Sequence, residues 1–450
     1  MLALVIIMLI LLAWSLIAGR LARISVTMPL ALLVAGMLLT AGSDPIFTFV
    51  IDFESGEHIV EAILAILLFV DATEVPGGLL GREPRITLRL LLIALPLSLI
   101  LAWVAGFVLL GGAGLWLLAV LATIVIPVDL APATAFIRDR RVPERLRRLI
   151  NVESGLNDGL VAPIFLIAIA GASAAGEESV VDAAAGAVPS LAVAIVVGAV
   201  VGALAARVLG KALDAGWTQP IALRIGVFAL PLLAYGAAIE LGGNGFVAAF
   251  VAGVFFEPAA RRLPKGTLNL VEDIGEMLSL ALWFIFGAIV NQTMARGSIT
   301  WQVIVYALLA LTVVRVLPVA VSLVGTDVPT RDRLTIGWVG PRGIATLVFG
   351  MLAVVQLPGP EKDLVLAVTV VVIVASIVIH GLSTGIVIRL YGRSATVTGP
   401  DVPTPTETSP TETSPTETSP AETSPAETSP AETSPAETDP DGAPGGGSDR

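Results

Sequence analysis

The chain has 450 residues, of which 55% are hydrophobic and only 14% charged, with a mean hydropathy of +0.89. Soluble domains carry roughly 25% charged residues, so a water-soluble globular core is excluded, and many apolar runs approach the roughly 20 residues that span a bilayer as a helix. The net charge of −11 arises almost wholly after residue 400, where eleven acids and one base lie, so the acidity says nothing about a substrate.

Thirteen hydrophobic segments follow in chain order, near 2–19, 26–41, 57–75, 86–111, 113–137, 146–171, 188–212, 220–240, 243–258, 271–292, 299–324, 333–356 and 363–388. They predict an all-α polytopic membrane protein. The first has its bases, Arg20 and Arg23, after the apolar stretch, as a membrane helix does and a cleaved signal peptide does not. Alternate loops carry 21 basic residues, including the block from Arg138 to Arg148, whereas the other set carries only Arg296 and Lys362. Basic loops stay in the cytoplasm, which predicts an external N-terminus and a cytoplasmic C-terminus. Residues 1–392 form the predicted membrane domain, and 393–450 a disordered cytoplasmic tail. The tail's Pro/Thr/Glu-rich repeat has no apolar side chains with which to offset its ordering entropy, and reads as a solvated spacer.

Ionisable residues at membrane depth are costly and mark candidate sites. The fifth segment reads ATIVIPVDLAPATAFI, with Asp129 between Pro127 and Pro132. Each proline removes a backbone donor, so the helix is expected to break there, beside a carboxylate. The sixth opens with NVESGLNDG, in which Ser154 and Asp158 share one helical face, and Glu153 and Asn157 the adjacent one. Capping at a helix N-terminus explains Ser154 and Glu153 but leaves Asp158 a turn too deep. The twelfth segment holds Gly337, Gly340, Pro341 and Gly343 around Arg342. It is a second interrupted helix, in the opposite half of the chain, and the pair points to inverted repeats. Arg315 lies mid-segment and takes Glu153 as its expected partner, leaving the aspartates for ions. Asp71 and Glu74 read equally as entry residues or interface groups. Tyr235, Glu240 and Asn244 read as an outer loop, and His58 and His380 as isolated, packed or interfacial residues.

Cysteine is absent, which excludes disulfides and thiolate metal sites. Without zinc-spaced histidines or a phosphate-binding glycine loop, neither a resident cofactor nor ATP-driven pumping is expected, nor a nucleic-acid partner.

PVDLAPATAFIRDRRVPERLRRLINVESGLNDGLVAPIF resembles the core of NhaP-type sodium/proton antiporters, of the monovalent cation:proton antiporter (sodium/hydrogen exchanger) family. The carriers are Asp129, the VPERLR link (Val142–Arg147), the ESGLNDG motif (Glu153–Gly159) and GPRG (Gly340–Gly343). The resemblance implies a homodimer in the cell membrane whose core moves against a dimer-forming panel. It implies an Asp129, Asp158 and Ser154 cation site, and a Glu153–Arg315 pair. The family usually writes Thr-Asp-Pro where this chain has Val128-Asp129-Leu130, and Val128 fits if only its backbone carbonyl is used. The expected activity is proton exchange for sodium, with potassium and lithium as alternatives, at a shared two-carboxylate site that holds either a cation or protons. An intramembrane aspartyl protease would also need two aspartates, and a cation channel is a further rival; neither accounts for the neighbouring residues as fully.

Overall fold

The computed structural model describes residues 2–23, 27–42, 53–73, 80–173, 180–357 and 359–395. Glu74, the loop acids Asp52 and Glu177, and the repeat after 395 lie outside the described residues.

Every regular element among the described residues is helical. In chain order these are α1 (Leu2–Arg23), α2 (Met28–Thr40), α3 (Phe53–Thr73), α4 (Pro84–Arg89), α5 (Leu95–Leu109), α6 (Leu115–Val125), α7 (Thr134–Arg138), α8 (Glu144–Ser173) and α9 (Val180–Asp214). There follow α10 (Pro220–Glu240), α11 (Gly245–Ala260), α12 (Asn269–Arg296), α13 (Trp301–Leu311), α14 (Val313–Ser322), α15 (Thr330–Trp338), α16 (Ile344–Gln356) and α17 (Gly359–Ala395). Seven helical stretches among the described residues are long and apolar enough to cross a membrane, and shorter apolar helices such as α2, α6, α11 and α16 stand between them.

Prolines decide where the helices depart from regularity. Leu90–Ala94 widens into a π turn between α4 and α5, just before Pro96, which has no N–H to return to the preceding turn. Between α6 and α7, Pro127 and Pro132 flank a stretch without regular structure that closes in one 3₁₀ turn, Ala131–Ala133. The segment expected at 299–324 is not one helix: it opens at Thr312 (φ −117°, ψ −94°), which separates α13 from α14.

Close packing rests on small residues, as expected where lipid supplies no hydrophobic drive between helices. A Cβ on Gly36 of α2 would strike the Phe284 carbonyl of α12, and one on Gly287 would strike the Leu33 carbonyl in return. α16 is the most enclosed element, with Ile344 to Val354 all buried and α3, α6, α8 and α17 packed around it.

Three polar residues expected in an outer loop are instead in or beside helices. Tyr235 lies within α10, Glu240 ends it, and Asn244 caps α11 by accepting the Val247 N–H at 3.0 Å. Gly242 (φ 75°) and Gly243 make the connection so tight that little loop is left. His58 is likewise not isolated: it stands 3.5 Å from Glu61, which takes the Tyr235 hydroxyl at 2.8 Å.

Candidate functional site

The two proline/glycine breaks meet in space. The backbone N–H of Asp129 donates to the Pro341 carbonyl at 2.9 Å, and Ile344 N–H, at the start of α16, donates to Asp129 Oδ2 at 2.9 Å. Asp129 thus caps the N-terminus of the opposite half-helix, where unpaired N–H groups and the helix dipole both favour an anion. Glycine at 343 is required by that approach: a Cβ there would overlap the Asp129 carboxylate. Gly340 has a parallel reason, since a Cβ would lie 2.9 Å from Arg315 Nε.

α8 supplies the second carboxylate. Asp158 is buried and, with Ser154 one turn earlier, lines a cavity of about 230 Å³ that Asp129, Val128 and Asp71 also line. Asp158 Oδ1 has no hydrogen-bond partner among the described residues. A buried carboxylate oxygen left so is expensive unless a cation or a proton completes it. Ser154 Oγ donates to the Val128 carbonyl at 2.7 Å, tying α8 to the irregular stretch between α6 and α7 and leaving the serine oxygen's lone pairs free to accept. The donor set is hard oxygen throughout, which suits an alkali cation, and the volume admits one with several waters.

The adjacent face of α8 carries a buried ion pair. Glu153 and Arg315, 1% and 2% exposed, form a two-pronged pair with Nη1–Oε1 at 2.7 Å and Nη2–Oε2 at 2.6 Å. Asn157 Nδ2 donates to the same Glu153 Oε1 at 3.1 Å. The sequence spacing had put Glu153 and Asn157 away from the Ser154/Asp158 face, and the contacts divide them in that way.

Arg342 is fully buried, and its task is to satisfy carbonyls that the breaks set free. Nη1 donates to Pro127 O at 3.2 Å and Nη2 to Ala310 O, beside the opening at Thr312, at 3.4 Å. Its own N–H donates to Ser376 Oγ at 2.7 Å. Ser376 also stands 3.1 Å from His380 Nδ1, and His380 Nε2 reaches Trp338 O, the last carbonyl of α15, at 3.0 Å. His380 is therefore a packed histidine that joins the last carbonyl of α15 to Ser376, which takes the Arg342 N–H within the second break. Sequence reasoning missed Ser376 and this use of His380, because neither sits in a broken or charged stretch. Asp71 was weighed only as an entry or interface residue; its place on the cavity wall beside the two aspartates comes from the packing of α3 on α8 and α16.

A family model described as "Sodium/hydrogen exchanger, transmembrane" matches residues 5–390. A Na(+)/H(+) antiporter of Schizosaccharomyces pombe is 25% identical over 284 residues, 56% of this chain and 59% of its own length. The K(+)/H(+) antiporter NhaP of Alkalimonas amylolytica is 25% identical over 317 residues, 68% of this chain and 52% of its own. The K(+)/H(+) antiporter NhaP2 of Shewanella sp. (strain ANA-3) is 25% identical over 401 residues, 85% and 65% of the two chains. The chain thus spans between about half and two thirds of the length of these curated relatives. Among solved structures, the sodium proton antiporter MjNhaP1 from Methanocaldococcus jannaschii shares the fold, with a TM-score of 0.69 at 19% identity, over 87% of this chain and 99% of that one.

Proposed function

The chain belongs to the sodium/hydrogen exchanger family, and from that premise we propose that it is a multi-pass membrane antiporter that exchanges protons for a monovalent cation. One observation carries the reading: two carboxylates from different elements, Asp129 and Asp158, line a single cavity where two broken helices cross. One positive charge at a time suits that cavity. A cation shared between the two carboxylates lowers their hold on protons, and protonation removes the charge that holds the cation. Competition of this kind, with the site offered to each side of the membrane in turn, couples the two fluxes without any further reaction.

Each residue has a role in this scheme. Asp158 and Asp129 take the cation or the protons, Ser154 supplies a neutral oxygen, and Val128 contributes through its carbonyl. Glu153 with Arg315, Asn157 and Arg342 keep the two breaks in register. The proposal includes thirteen spans in inverted repeats, an external N-terminus, a cytoplasmic C-terminus and a homodimer, supported by the loop charges and by the family. Sodium is the first choice of cation. Potassium is the alternative: of the three relatives above, one is a Na(+)/H(+) and two are K(+)/H(+) antiporters.

The test is antiport by the purified full chain in vesicles, with sodium, potassium and lithium gradients run in parallel and internal pH as the readout. Proton movement driven by any of the three supports exchange, and the ranking gives the selectivity. A cation current without proton movement would make the protein a channel, and no movement at all in sealed, protein-loaded vesicles would refute the reading.

A further inference from the structure

α9 packs on α8, α10 and α11 but leaves one face uncovered. Val196, Val200, Leu204 and Val208 recur every four residues and are each more than half exposed. Further toward the N-terminus of that stripe the helix is tight against α11: a Cβ on Gly198 would strike the Ala248 carbonyl, and one on Gly202 the Ala252 carbonyl. Toward their C-terminal ends the two helices enclose a cavity of about 540 Å³, bounded by Arg207 and Asp214 on α9 and by Phe255, Pro258 and Arg262 at the end of α11. Phe255 is itself 48% exposed and extends the apolar wall.

The polar end of this cavity is net basic and has cations to spare. Among the described residues the Arg207 guanidinium donates only to the Ala203 carbonyl of its own helix, at 3.1 Å. The Arg262 guanidinium has no hydrogen bond or ion pair with any described residue, whereas its neighbour Arg261 is committed to Glu257. Asp214 is the single acid on the wall, and Lys211 and Lys265 lie close in sequence on the same two chain ends. The exposed stripe, which runs outside the cavity on the same helix, has a definite length. From Val196 to Val208 the helix rises about 18 Å at 1.5 Å per residue, close to the roughly 15 Å that one leaflet of hydrocarbon provides.

We propose that the α9–α11 cavity is a binding site for one anionic phospholipid, its phosphate between Arg207 and Arg262 and an acyl chain along the Val196–Val208 stripe and Phe255. An arginine can run its stem over apolar surface and lift its guanidinium to the headgroup level, which is what this position asks of Arg207. Net positive charge selects an anionic over a zwitterionic headgroup. The reading above enters only in placing this end of the helices at the cytoplasmic leaflet.

The experiment is thermal unfolding of the purified full chain in detergent micelles, titrated with phosphatidylglycerol or with phosphatidylcholine of the same acyl chains. Phosphatidylglycerol is expected to raise the midpoint and phosphatidylcholine to leave it unmoved. Each basic residue at such a surface is worth about fivefold in affinity, so Arg207→Gln with Arg262→Gln should require about 25-fold more phosphatidylglycerol for half the effect. The charge-keeping pair Arg207→Lys with Arg262→Lys should retain the response, which separates a lost site from a damaged fold. Arg82→Gln with Arg85→Gln, in a different basic stretch at the start of α4, should retain it too. An equal response in wild type and the glutamine pair would overturn the proposal. So would an equal loss in the Arg82/Arg85 control, which means diffuse charge, or the same shift from inorganic phosphate, which means that no lipid is needed. Native mass measured alongside must show lipid adducts on an unchanged number of chains; a gain of a second chain would give this face to another copy instead. Micelles have no two sides and carry no flux, so a failed vesicle antiport assay would leave this result standing, and the reverse also holds.

Discussion

Replacing Glu153 and Arg315 singly and together tests whether the pair is structural. The two side chains are almost wholly enclosed and make two parallel charge-assisted bonds of 2.6–2.7 Å. Removing either partner strands a charge in a low-dielectric interior, which costs about 3–5 kcal/mol. Glu153→Leu should lie at the upper end or above, because it also orphans Asn157 Nδ2, a further loss of about 1–3 kcal/mol for a buried donor. Arg315→Met should lie lower, because Glu153 keeps the Asn157 donor. The double variant leaves no orphan charge and keeps the volume near its original value, so its cost should fall at least about 3 kcal/mol short of the two singles added. The assay is a double-mutant cycle on thermal unfolding midpoints in detergent, with antiport measured on every variant that inserts. Additive losses would refute the partnership. A normally folded Glu153→Gln variant that changed the number of protons exchanged per cation would move Glu153 into the transport site.

Asp158→Asn is expected to abolish exchange with an unchanged unfolding midpoint, since the amide keeps the shape but not the charge that holds a cation; near-wild-type flux in purified vesicles contradicts the assignment. Gly343→Ala places a methyl group against the Asp129 carboxylate and should lower cation affinity by tenfold or more, read as a raised half-saturating concentration in the vesicle assay. Val128→Thr should change the sodium-to-potassium preference by less than about threefold if the position acts through its carbonyl, which already takes the Ser154 hydroxyl; a larger change would give the missing hydroxyl a role. Deleting the chain after residue 396 should leave turnover unchanged at equal insertion, because a Pro/Thr/Glu repeat has no apolar face to pack; a large fall would make the tail regulatory.

Much of the candidate site was legible because its residues break local rules. An aspartate between prolines, a carboxylate too deep to cap a helix and a glycine/proline cluster around an arginine each conflict with an apolar span, and such conflicts gather at functional sites. The Glu153–Arg315 partnership followed from elimination among the few buried charges. What stayed hidden were interactions with no local conflict. Ser376 and His380 are ordinary side chains in the long helix α17, and only tertiary packing brings them to Arg342. The opening at Thr312 was hidden for a different reason. Thr312 is an unremarkable residue in an apolar run, and its freed neighbour Ala310 is satisfied by an arginine 32 residues away.

That arginine shows why the two breaks belong to one device. A broken helix in an apolar surrounding must dispose of carbonyls that water would otherwise satisfy. Arg342 covers one from the first break and one from the α13–α14 opening, while its own backbone lies in the second break. Asp129 works in the opposite sense, since its carboxylate takes an N–H that the second break leaves over. Each break therefore supplies what the other lacks, a donor side chain in one direction and an acceptor side chain in the other. In the proposed exchange a cation that draws on Asp129 would compete with this arrangement directly, and would be felt at Ile344 and α16 through the N–H that Asp129 accepts. Asp158 is differently placed: its carboxylate takes the Val128 N–H of the first break, but its Oδ1 stays unpartnered among the described residues, while Asp129 is bound into the contact between the two breaks. In the proposed exchange this difference makes Asp158 the group that exchanges its partner and Asp129 the one that links the exchange to the contact between the half-helices.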